Sequence, residues 1–144
     1  MGRDWRKAAW WCSAVVLAVG VVIPVASGIA AVTRTGAVPA KLVGKWTRRV
    51  TSADIKRTGG TGTAAGSVWT LTIKKNDYAS ISSGADAFEG YLRAVGASGF
   101  RTNLGDPNPA VYKWRVSGRL LTLTKIRDQI PNREAVFGGV WKRK

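Results

Sequence analysis

Catalysis needs groups that move protons, attack as nucleophiles or hold metals, and this sequence has few of them. It contains no histidine and a single cysteine, Cys12. That removes histidine-based triads, histidine general bases and the common zinc and copper sites. Carboxylates are the next candidates. Beyond residue 32 they are Asp54, Asp77, Asp86, Glu89, Asp106, Asp128 and Glu134. Asp86 and Glu89, three residues apart, come nearest to an acid–base pair. No other reactive group accompanies them, so they read as solvated loop charges. There is no Ser-x-x-Lys motif. Gly59-Gly60-Thr61-Gly62 lacks the Gly-Lys-Ser/Thr of a phosphate loop, and the stretch 52–67 reads as a flexible loop at the mouth of a sheet. The expectation is a noncatalytic chain with no cofactor and no metal.

The charge balance is the stronger chemical signal. Lys and Arg number 23 against 8 Asp and Glu, a net charge of +15. Such a surplus attracts anionic polymers, lipid head groups or acidic ligands. Lys45, Lys74, Arg101, Lys113 and Arg115 fall on the polar parity of their segments, so an anionic envelope polymer or a membrane surface is a candidate partner. The same cations also keep an exported sheet soluble and its edges unpaired, and they are spread along the chain rather than clustered. Lys125 differs, because it shares the parity of Leu121 and Leu123. It would point inward at the mouth of the sheet, placed to anchor a ligand carboxylate or to reach water from a strand end.

These residues need elements to position them, and 112–126 is the most legible stretch. Tyr112, Trp114 and Val116 alternate with Lys113, Arg115 and Ser117, and Leu121 and Leu123 alternate with Thr122 and Thr124. Period-two patterning marks strands with one buried face. Gly118-Arg119 suits a two-residue type II′ turn. That turn sets Val116 opposite Leu121 and Trp114 opposite Leu123, which gathers the apolar residues on one face. Further strands are expected over 41–51, 67–75, 78–82, 88–95, 100–104 and 135–142, with one helical turn within 127–135. That makes about eight short strands, which suits an all-β antiparallel up-and-down barrel.

The barrel is expected over 41–144, after a linker at 32–40. Residues 1–31 begin with Arg3, Arg6 and Lys7 and continue as an apolar run with small residues at its exit. This describes a secretory signal peptide or an uncleaved signal anchor, an apolar helix in either case. The chain is thus expected to be exported: periplasmic, secreted or at the cell envelope, and held in the membrane if the leader stays. Export leaves nucleic acid outside the physiological partners, although the charge would bind it in vitro.

Gly44-Lys45-Trp46 in the first strand and a last strand ending Trp141-Lys142-Arg143 together resemble the lipocalin and wider calycin pattern. The resemblance implies that Trp46 plugs one end of the barrel beside Gly44. It also implies that Arg143 or Lys142 lies across the indole and bonds carbonyls of the first strand. It further implies a hydrophobic or amphipathic small molecule bound inside. Trp69, Leu71, Ile73, Tyr112, Trp114, Leu121 and Leu123, with Lys125, are the candidate lining. The alternative is that the same residues pack against one another as ordinary core.

Overall fold

The computed structural model describes residues 36–63 and 65–144. The leader expected over 1–31 and the first residues of the linker lie outside them. Among the described residues no helix is long and apolar enough to cross a membrane.

Eight strands form a closed antiparallel barrel, each paired with its neighbours in chain order. They are β1 (Gly44–Arg49), β2 (Val68–Ile73), β3 (Tyr78–Ser83), β4 (Asp86–Val95), β5 (Gly99–Thr102), β6 (Ala110–Ser117), β7 (Leu120–Arg127) and β8 (Gly139–Arg143). β8 returns to β1, where Trp46 faces Arg143 and Thr47 faces Lys142. The β6–β7 hairpin has the register that its pattern predicts, with Trp114 opposite Leu123 and Ser117 opposite Leu120. Gly118 has φ +55°, and Arg119 is not among the residues with positive φ, as a type II′ turn requires. Alternation fails beyond Lys125. Val111 pairs with Arg127 rather than Ile126, and the bulge leaves Ile126 exposed.

The inward faces fill the barrel. Trp46, Leu71, Leu92, Phe100, Tyr112, Leu121 and Trp141 are fully buried, with Ile73 and Leu123 at 2% exposure. Each such apolar side chain contributes about 1.5–3 kcal/mol of burial. Val38 joins this core, so the end of the expected linker packs on the barrel.

Two helices depart from the sequence expectation. The stretch 52–67, expected as loop throughout, begins with α1 (Ser52–Thr58). The Thr51 hydroxyl accepts from the Asp54 amide, and the Asp54 carboxylate accepts from the Thr51 amide, a capping box. Gly59 ends the helix at φ +72°. The helical turn expected within 127–135 is α2 (Pro131–Phe137), so Ala135, Val136 and Phe137 are helical and β8 starts only at Gly139. Pro131 supplies the fixed φ that suits a first turn.

Strand polarity separates the two ends. The β2–β3, β4–β5 and β6–β7 turns lie with the start of β1 and the end of β8. At the opposite end lie α1 with residues 59–63 after it, the 103–109 loop and α2.

Candidate functional site

At the tight-turn end, Trp46 Nε1 donates to Leu42 O at 2.9 Å. The Arg143 guanidinium lies 4.4 Å from the centre of the Trp46 ring, and its Nη2 donates to Lys41 O at 2.8 Å. Gly44 has φ +138°, a backbone region that favours glycine, and sits beside the guanidinium. Lys142 is exposed and pairs with Thr47 across the seam. Of the two basic residues, Arg143 therefore covers the indole. A guanidinium over an indole is a favourable cation–π pair.

At the other end, four cations hold α2 in the mouth. Arg48 points inward from β1. Its Nη1 donates to Ala135 O and Val136 O, each at 2.6 Å, and its Nη2 meets Asp54 at 2.6 Å. Burial lowers the Arg48 pKa, and the Asp54 charge opposes that shift. Glu134 accepts from Lys125 at 2.6 Å and from Arg57 at 2.9 Å. Arg133 grips buried Asp128 through two nitrogens and donates to Asn108 O at 2.8 Å. The Tyr112 hydroxyl completes this group by donating to Asp128. Burial works against the Asp128 charge, but the bonds from Arg133, Tyr112 and the Ile130 amide outweigh it and hold the carboxyl below its ordinary range. Burial first, then the bond to Asp128 and its charge, push the Tyr112 hydroxyl upward.

Beside α2 the mouth keeps a cleft of about 310 Å³, open to solvent. Trp69, Ile81, Phe88, Leu104, Val136 and Phe137 form its apolar wall. The Trp69 and Phe88 rings stack with centroids 6.4 Å apart, and Ile81 lies directly opposite Phe88 on the neighbouring strand. Gly62, Thr63, Asn132, Arg133 and Asp86 supply the polar parts of the cleft. The Arg133 guanidinium is already satisfied by Asp128 and Asn108. The Asp86 carboxylate makes no hydrogen bond or ion pair among the described residues.

The residues expected to line an interior are distributed unevenly. Trp69 lines the cleft. Leu71, Ile73, Tyr112, Leu121 and Leu123 are packed into the filled interior. Trp114 is half-buried against that core, and its Nε1 has no partner among the described residues. Lys125 reaches the mouth, but Glu134 occupies its ammonium. Sequence reasoning misses Ile81, Phe88, Leu104, Val136 and Phe137. Ile81 lies in the short strand expected over 78–82, Phe88 and Leu104 begin or end segments whose inward face the pattern leaves open, and Val136 and Phe137 sit in the part of α2 that reads as strand. Asp86, which reads as a loop charge, starts β4 and borders the cleft. Among the described residues no cluster of His, Cys, Asp or Glu could hold a metal ion. No family model, curated protein or solved structure matches the chain.

Proposed function

We propose that this chain is a noncatalytic, exported, lipocalin-like module that binds a small apolar or amphipathic molecule in the cleft at the barrel mouth. The observation that carries the reading is the cleft itself. Its volume of about 310 Å³ falls in the range of small-ligand sites, and aromatic and aliphatic side chains form one whole wall. Binding at this place leaves the packed interior undisturbed. Asp86 is the uncompensated charge at the rim, so the reading favours a ligand with an apolar body and a cationic or hydrogen-donating end.

The test is a fluorescence titration of the full chain with N-phenyl-1-naphthylamine, a neutral apolar dye. Saturable enhancement is expected, with loss of Trp69 emission as the dye covers the indole. Phe88→Glu places a charge in the cleft at a side chain that is 42% exposed, so folding should survive. Enhancement should then fall by about tenfold or more. Equal dye binding by this variant, or no saturable binding by either protein, would refute the cleft as a ligand site. For export, N-terminal sequencing of protein recovered outside the cytoplasm should give either a start near residue 31 or the intact leader.

A further inference from the structure

The outer faces of four consecutive strands carry a surplus of cations, with counter-charge only at the β4 end, from exposed Glu89 and from Asp77 in the β2–β3 turn. β5, β6 and β7 contain no acidic residue. The register lines their cations up. Arg93 on β4 is directly opposite Arg101 on β5. Arg101 is opposite Val111 on β6, and Val111 is opposite Arg127 on β7. Lys113 and Arg115 follow Val111 on the same face of β6. All five cations are exposed. Arg101, Lys113, Arg115 and Arg127 have no side-chain hydrogen bond or ion pair among the described residues. Arg93 reaches Asp77 only at 3.7 Å and lies over the Tyr91 ring. A surface groove of about 280 Å³ runs along Arg93 and Arg101, with Tyr91 and Val95 in its wall and Asp77 at its edge.

Like charges directly opposite each other across a ladder repel. An anion placed between two such arginines turns that repulsion into attraction, with charge-assisted bonds to both. We propose that the outer face of β4–β7 binds a flexible linear polyanion that carries phosphate or carboxylate groups along its length. Shape selects this partner. Four adjacent strands of eight span half the circumference of the barrel, so the cations lie on a strongly convex surface. A flat bilayer touches such a surface along a narrow strip. Duplex DNA, with a persistence length of about 150 base pairs, does not bend round it. Single-stranded nucleic acid needs aromatic platforms for its bases, and the Tyr91 ring is already covered by Arg93. A flexible polymer without bases follows the curve, meeting cations on strands that lie about 5–10 Å apart.

Inorganic polyphosphate and polygalacturonate serve as probes of the two anion chemistries, and calorimetry on the full chain over a salt series gives the affinity. The variant Arg101→Gln/Lys113→Gln/Arg127→Gln removes three cations from this face. Lys45→Gln/Lys74→Gln/Lys142→Gln removes the same charge from other parts of the barrel. At least one polymer should bind, and the first variant should weaken it by about tenfold or more. It should also lower the salt slope by about three, one for each polymer anion that is no longer neutralised. The second variant should change affinity by less than about threefold, the part due to net charge alone. Arg101→Gln alone should lower the affinity while raising the melting temperature, because it relieves the Arg93–Arg101 repulsion. Equal weakening by both triple variants would overturn the proposal in favour of diffuse charge attraction. So would binding to neither polymer, or tighter binding to anionic vesicles or a single-stranded oligonucleotide.

Discussion

Gly139 makes the space that the Arg48 guanidinium fills: a Cβ on Gly139 would sit 2.7 Å from Arg48 Nη2. Gly139 also has φ +130°, a backbone region that side chains rarely adopt. The first residue of β8 and an inward arginine of β1 are therefore one device. It satisfies the last carbonyls of α2 and seats that helix in the mouth.

Gly139→Ala should destabilise the fold by about 1–3 kcal/mol through backbone strain and displacement of Arg48. Arg48→Ala should cost about 2–4 kcal/mol, because it removes the shortest ion pair of Asp54 and leaves two helix carbonyls without their donor. The double variant should cost less than the sum, since both changes break the same contact. Urea unfolding of the three proteins checks this. Strict additivity would show that the two residues are independent.

The two ends of the pH scale should act through one cluster. Asp128 is held below its ordinary range, so the folded chain takes up its proton less readily than the unfolded chain. Its stabilisation is complete above the ordinary carboxyl pKa of about 3.9 and is lost as pH falls through the lower folded value. Asp54 has the same sign, because its bonds from Thr51 and the charges of Arg48 and Arg57 overcome the effect of burial. Tyr112 has the opposite sign. Its raised pKa keeps the proton on in the folded state, so its stabilisation is full below about pH 10 and is lost as pH rises beyond that. Urea midpoints across this range should fall at both extremes. Tyr112→Phe should flatten the alkaline fall, and it should also soften the acid fall, because its hydroxyl is one of the donors that hold Asp128 down. An unchanged alkaline limb in that variant would exclude Tyr112 as its source.

At the other end of the barrel, Arg143→Ala should cost about 1–2 kcal/mol, because it removes the cation over the indole and the bond to Lys41 O. Lys142→Ala should cost less than about 0.5 kcal/mol, as an outward residue without an ion pair. Thermal melts with tryptophan emission separate the two. Equal effects would mean that the stacking over Trp46 contributes nothing beyond seam pairing.

The parts of this molecule that sequence reveals are those where local pattern and local turn agree. The 112–126 hairpin is legible because both strands bury one face and Gly118 permits a single turn type. Its bulge is not, since nothing in Lys125-Ile126-Arg127 announces that Ile126 drops out of the ladder. α1 carries its own signal, Thr51 and Asp54 at capping-box spacing with Gly59 beyond, but the Gly- and Thr-rich stretch that follows obscures it. The first turn of α2 is legible from Pro131, but its second half reads as the start of a strand because Ala135, Val136 and Phe137 are apolar in sequence, and only the mouth of the barrel requires them to coil. The cleft is the least legible part. Its walls come from β2, β3, β4, the 103–109 loop and α2, and ring closure alone brings these together. Lys125 shows the limit of parity: it reaches the mouth as its position in β7 implies, yet its partner Glu134 comes from a helix that the alternation does not reveal.

The seam between β1 and β8 joins Thr47 to the Lys142 carbonyl, 95 positions apart in the chain. A ribosome delivers β1 before every other strand and its partner on that side after them. Until then the open side of β1 is an exposed template for other extended chains. The Trp46 indole meanwhile waits for Arg143. Ring formation must therefore follow synthesis of β8, and with contacts this distant it should be slow.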